Sequence, residues 1–200
     1  GSVSARLLAM AFDEVVIAGR DIKKLNELRD SILQDTPDAK VISSTDYDSL
    51  LGDMDMIVTS TSGAGKKILD ITKVKPGCVI TDVARPLDLP ASEVAKRPDV
   101  LVIESGEIEL PTKVHGMKNI GLPNNVIYAC LAETIVLALE GRFEVFTIGR
   151  DTEWEKVKEI YKLGLKHGMK LAAISGVKGV YTDKDIAKVV ALAKKARLTW

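Results

Sequence analysis

Cys130 and Glu133 sit three residues apart in an otherwise apolar stretch, so a helix would put both on one face. A thiol in the second turn of a helix that starts near Asn125 can have a lowered pKa and act as a nucleophile toward a carbonyl carbon. A carboxylate embedded in an apolar helix needs a partner or a task. On spacing alone the plainer alternative is favoured: a small buried cysteine beside a structural, hydrogen-bonded glutamate. The other cysteine, Cys78, lies within an apolar strand and reads as an inert core thiol. His115 reads as a solvated loop residue. His167 precedes Gly168 at a helix end, where an imidazolium complements the helix dipole. These histidines and cysteines lack metal-ligand spacing, and no nucleophile-elbow or catalytic-serine motif is present.

A second group of residues lies where strands end. The run Glu14-Val15-Val16-Ile17-Ala18-Gly19 is followed by Arg20, with Asp21, Lys23 and Lys24 next. A dinucleotide site specific for NAD puts an acid at this point, whereas a guanidinium pairs with a 2′-phosphate. Arg20 and Lys23 therefore predict NADP, against the alternative of a solvated basic helix start with Asp21 merely capping. Ser60, Thr61 and Ser62 follow the third strand, where small hydroxyl and glycine residues let a ribose and phosphates approach the backbone. Gly63 to Lys67 is not a phosphate-binding P-loop, because it lacks the spacer and the Ser or Thr after lysine. Thr81-Asp82-Val83-Ala84-Arg85-Pro86 closes the fourth strand, and within it Val83 and Ala84 are further candidates for cofactor contact, against a plain strand-to-loop exit. Gly1 and Ser2 stand where the last fingerprint glycine and the start of the first helix belong. On that reading a strand and two glycines are expected ahead of them; on the other, Gly1-Ser2 is a cloning remnant.

The elements that would position these groups follow from periodicity. Short β-branched runs at 14–19, 40–44, 54–60, 78–83 and 100–104 alternate with helical patterns, including one at 22–34 capped by Asp21 with Ile22, Leu25, Leu28 and Ile32 on one stripe. A brief helix is predicted at 46–51 and a connecting loop at 112–123. Asn124 or Asn125 is expected to cap a long helix reaching Glu140. Thr152 and Glu155 are read as a capping box opening a helix with Trp154, Val157, Ile160 and Tyr161 inward. Thr182 is expected to cap a last helix with Ile186, Val189, Val190 and Ala193 on one stripe. The predicted class is α/β: a doubly wound, mostly parallel, Rossmann-like sheet lacking its first strand, over 1–111, with a mainly helical segment over 112–200 packed on it.

Composition narrows the function class. The 200 residues carry 28 Lys plus Arg and 28 Asp plus Glu, so electrostatics-led nucleic-acid binding is disfavoured. No apolar run is long enough for a membrane span, and the start lacks a signal-peptide layout. Two cysteines are too few for a disulfide framework and suggest a reducing, cytoplasmic setting.

The succession Leu122-Pro123-Asn124-Asn125-Val126-Ile127-Tyr128-Ala129-Cys130-Leu131-Ala132-Glu133, with Leu139-Glu140-Gly141, Ile148-Gly149-Arg150 and Lys166-His167-Gly168, resembles the long-chain acyl-[acyl-carrier-protein] reductases. These are the aldehyde-forming enzymes of alkane biosynthesis. The resemblance covers about residues 1–168. It implies that Cys130 accepts an acyl group from acyl carrier protein or a CoA thioester, that NADPH delivers hydride, and that an aldehyde leaves. It makes Arg20 the 2′-phosphate ligand and gives Glu133 a part in acid-base steps, and a homo-oligomer is compatible with it. The family's acyl-carrier-binding part has no counterpart here, and residues 170–200 extend past its usual end. Two alternatives stay open: a shikimate- or amino-acid-type dehydrogenase with direct hydride transfer, and a nucleotide-binding module without chemistry.

Overall fold

The computed structural model describes residues 1–61, 67–116, 118–147 and 152–200. They divide into two compact units, Gly1–Ser105 with Ile174–Trp200, and Gly106–Ala173. The expected division was 1–111 and 112–200; here the last helix belongs with the first unit.

In the first unit, α1 (Ser2–Ala11) runs through two residues into β1 (Glu14–Ala18), and α2 (Ile22–Asp35) leads to β2 (Lys40–Ser44). β1 and β2 pair in parallel, Glu14 opposite Lys40 through Ala18 opposite Ser44. Asp21 caps α2 as expected, its carboxylate accepting from the backbone N–H of Lys23 and Lys24. Leu25, Leu28 and Ile32 turn inward and pack with Ala5, Ala9, Val15 and Ile17, whereas Ile22 stays exposed at the helix start. Tyr47 and a short 3-10 turn at Asp48–Leu50 stand where a brief helix was expected.

Three more parallel strands follow: β3 (Met56–Thr59), β4 (Val79–Asp82) and β5 (Leu101–Glu104), with the short α3 (Ala91–Val94) before β5. Leu51, Leu69, Ile71, Val74, Cys78, Ile80, Leu89, Val100 and Val102 form the core around them. Apolar runs rich in β-branched residues explain these strands, with Thr59, Ile80, Asp82 and Val102 buried and the other positions half-buried. β9 (Ser175–Gly176) and β10 (Gly179–Val180) extend this sheet on the β5 side in antiparallel fashion, giving the order β10-β9-β5-β4-β3. α6 (Asp183–Ala196) opens with a capping box between Thr182 and Asp185 and buries Ala193, while Val190 of the expected stripe is exposed. The Arg197 guanidinium donates to the Pro76 carbonyl at 2.9 Å, tying the end of this helix to the turn before β4.

The second unit is not mainly helical. β6 (Glu107–Glu109), β7 (Val126–Tyr128) and β8 (Lys170–Leu171) make an antiparallel sheet of order β7-β6-β8. The helix expected from Asn124 or Asn125 starts later: Val126–Tyr128 pair with β6, and α4 spans Ala129–Leu139 with Tyr128 as its cap. The ladder hydrogen bonds available to Val126, Ile127 and Tyr128 win over helix extension. α5 (Trp154–Lys166) is capped by Glu153 without a side-chain bond, so the expected box at Thr152 and Glu155 is not formed. Ile160 and Leu163 face the core of Leu110, Ile127, Ala132, Val136 and Met169, whereas Tyr161 points out.

Candidate functional site

The carboxyl ends of parallel strands present backbone and side-chain groups to a ligand; here these are the end of β1, in the β1-β2 sheet, and the ends of β3 and β4, in the five-stranded sheet. At β1, Arg20 is exposed, and no ion pair joins it to another described residue; it lines a shallow depression with Gly19, Asp21, Lys24 and Leu25. Lys23 is exposed beside it. At β3, Thr59 is buried, Ser60 and Thr61 are exposed, and Ser62 lies outside the described residues. Gly1 meets this strand end closely: a Cβ on it would lie 2.9 Å from the Ser60 hydroxyl. Ser2, half-buried, begins α1 there. Burial pushes the Gly1 amino group below its ordinary pKa.

Two carboxylates organise this rim: Asp82, within the strand exit read as a candidate for cofactor contact, and Asp88, which the sequence reading did not single out. Asp82, the last residue of β4, accepts from the backbone N–H of Ala84 and of Leu89, each at 3.0 Å. Asp88 accepts from the Thr61 N–H at 2.9 Å and from the Thr61 hydroxyl at 2.5 Å. Both are fully buried, and the amides that aim at each one offset the cost of burying its charge. They pin the loop after β4 to the loop after β3. Asp88 thereby engages the hydroxyl of Thr61, one of the groups expected to meet a ligand. Ala84 is buried and Val83 is exposed at the same exit. Arg85 donates to the Ala84 carbonyl at 2.9 Å and to the Ser105 carbonyl at 3.1 Å. The signal for Asp88 was an acid inside the apolar run Leu87-Asp88-Leu89-Pro90.

In the second unit Cys130 is the second residue of α4 and is exposed, so the buried-cysteine alternative is wrong for it. Thr134 donates to the Cys130 carbonyl at 3.1 Å, a local helix bond. Glu133 is half-buried and accepts from the Thr147 N–H at 3.2 Å and from the Thr147 hydroxyl. The partner that its apolar setting demanded is Thr147, which ties α4 to the segment after it. Cys78 matches its reading: it is buried, and burial pushes its thiol up to about 12. His167 ends α5 as expected, and its Nε2 lies 2.5 Å from Glu140, which also accepts from Lys166 at 2.7 Å. Hydrogen bonds from Lys166 and His167 hold the Glu140 carboxyl below its ordinary pKa. His115 is exposed. Among the described residues no His, Cys, Asp and Glu side chains gather as a metal-binding group, and no helix is long and apolar enough to cross a membrane.

No family model matches the chain. A curated protein, aminotransferase PigE of Serratia sp. (strain ATCC 39006), is 34% identical over 172 residues, a match taking in 84% of this chain and 20% of that protein. The chain thus spans about a fifth of the relative's length. This match corrects the expectation drawn from the Cys130 segment. The relative is named an aminotransferase and not an acyl-[acyl-carrier-protein] reductase or a dehydrogenase, so the acyl-thioester reduction, the dehydrogenase alternative and NADP as cofactor are overturned. The short motifs around Cys130 and Gly19-Arg20 are too few to outweigh similarity across most of the chain.

Proposed function

We propose that this chain is part of a transaminase-type protein, and that it contributes a ligand-positioning α/β segment rather than the cofactor pocket. The observation that carries the reading is the 34% identity to an aminotransferase along 84% of the chain. On this reading the two sheets of the first unit, β1-β2 and β10-β9-β5-β4-β3, are parts of a doubly wound, Rossmann-like arrangement, with its ligand edge at Arg20, Ser60 and Ala84.

Pyridoxal phosphate, the usual aminotransferase cofactor, is held through an uncharged lysine amine that forms a Schiff base. The described residues do not fit it. None of their lysines is buried, and none stands in the apolar enclosure that keeps an amine uncharged. Lys73 is pushed the other way by its hydrogen bond to Asp48, and Lys67 is raised through Glu93 and Asp70 against its own desolvation. Amino and oxo acids carry carboxylates, and an exposed guanidinium binds a carboxylate with two parallel hydrogen bonds. Arg20, with Lys24 beside it, supplies that recognition, and the carboxylates Asp82 and Asp88 keep the neighbouring loops in place.

The test uses residues 1–200 and the longest polypeptide that the gene encodes. Residues 1–200 treated with pyridoxal phosphate and borohydride should gain no adduct on a described lysine. In the long polypeptide, Arg20→Ala should raise KM for the amino donor about tenfold with kcat little changed, the size of one charge-assisted contact. A lysine adduct together with transamination by residues 1–200 alone, or an unchanged KM, overturns the proposal.

A further inference from the structure

The outer face of α4 carries two rows of side chains. Cys130, Thr134 and Ala138 are small, Leu131, Ile135 and Leu139 are large, and all six are exposed. Each row repeats every four residues, so the large row is a ridge and the small row a furrow beside it. No charged residue stands among the exposed positions of this helix, whereas the outward face of a surface helix ordinarily carries charges.

The segment after α4 builds the far wall of the furrow. Glu133 accepts from the Thr147 N–H and hydroxyl, which folds that segment back along the helix. Phe143 and Val145, 89% and 68% exposed, line one groove with Thr134 and Ala138, over a floor of Leu137 and Phe146. The polar groups of this face are satisfied within the unit. The Thr134 hydroxyl donates to the Cys130 carbonyl at 3.1 Å, and Arg142 pairs with Glu144 at 2.6 Å and with Glu159 at 2.5 Å. Covering the face therefore strands no donor and brings in no uncompensated charge.

The area fits a partner. With about 200 Å² for a large apolar side chain in full view, Leu131, Ile135, Leu139, Phe143 and Val145 together expose about 600 Å². That is the upper end of what a monomer leaves open. Two such faces mated bury about 1,200 Å², the lower bound of a specific interface.

We propose that this face joins two copies of the chain, α4 parallel to α4, about a two-fold axis running along the helices. That operation keeps the position along the helix and exchanges its sides, so the ridge of each copy enters the furrow of the other. An antiparallel pair would set ridge against ridge. A face with its ridge beside its furrow is thus its own complement, which is what selects a second copy as the occupant. An interface of this size dissociates in the micromolar range, so in dilute solution the face is open to water. The inference does not depend on the transamination proposed above.

Light scattering on residues 1–200 between about 1 and 200 µM tests it. The mass should rise from 21.7 kDa toward twice that value. Ile135→Glu should weaken the dimer at least about 30-fold with its urea midpoint unchanged, whereas Leu7→Glu, at an exposed position of α1, leaves the dimer as it is. Ala138 lies near the axis, so Ala138→Cys in a Cys130→Ala background should form a disulfide-linked dimer with oxidised glutathione. A single 21.7 kDa species at the highest concentration overturns the proposal and gives the face to a different partner. A dimer that Ile135→Glu leaves intact overturns the face, and a dimer that the Ala138→Cys variant does not cross-link overturns the parallel arrangement.

Discussion

The two units handle buried polarity differently. In the first, Asp82 and Asp88 are completely enclosed, and backbone amides at the ends of parallel strands satisfy them. In the second, Glu133 and Glu140 are half-buried and bind Thr147, Lys166 and His167 near the surface. The apolar surfaces differ as well. The first unit encloses Ile71, Val74 and Ile80 fully, whereas α4 in the second leaves Leu131, Ile135 and Leu139 exposed along one stripe. Backbone amides at the ends of parallel strands make a setting that can hold unhydrated carboxylates. A three-stranded antiparallel sheet with two helices leaves its groups within reach of water.

The largest expected contrast is in core truncation. Ile80→Ala should cost about 4 kcal/mol in urea unfolding, because Ile80 is 0% exposed, while Leu139→Ala, at 60% exposure, should stay within about 0.5 kcal/mol. Similar losses at the two positions would break the comparison. Next is the buried carboxylate: Asp82→Ala leaves the Ala84 and Leu89 amides without an acceptor and should cost about 3 kcal/mol. Glu133→Ala, whose Thr147 partner can turn to water, should cost about 1 kcal/mol by the same measurement.

The thiols sharpen the contrast kinetically. Iodoacetamide at pH 8 should modify Cys130 at least about 100-fold faster than Cys78, since one is exposed and the other is buried with its pKa raised to about 12. Peptide mass spectrometry over time reads this, and equal rates would place Cys78 in a fraying strand. The smallest effect is in acid. Hydrogen bonds from Arg97 hold Asp99 below its ordinary pKa, so its contribution is present above the unfolded carboxylate range and is lost as pH falls below about 4. Asp99→Asn should remove on the order of 1 kcal/mol at pH 7 and flatten the acid limb of stability against pH. An unchanged limb would assign acid sensitivity to other carboxylates.

The first unit was largely legible because its signals are local. β-branched runs marked β1 to β5 within two residues, and Asp21 and Thr182 capped the helices that they preceded. The second unit was less legible. Val126-Ile127-Tyr128 fits a strand or a buried helix start equally, and pairing with Glu107–Glu109, almost twenty residues away, decided it. β8, β9 and β10 are two residues each, too short for any periodicity. The chemical reading was overturned by similarity along most of the chain to an aminotransferase, and a cysteine and a glutamate at helical spacing could not show in advance that Glu133 would accept hydrogen bonds from Thr147.

By itself the sequence determined the class of the fold, the strands of the parallel sheet, the inert setting of Cys78 and the basic end of β1. These depend on residue type and near neighbours. Tertiary structure decided that Asp82 and Asp88 hold the rim, that residues 174–200 return to the first unit, and that Cys130 faces solvent. Each of these is fixed by contacts between distant segments, whose free energy depends on which groups meet and not on what stands beside them in the chain.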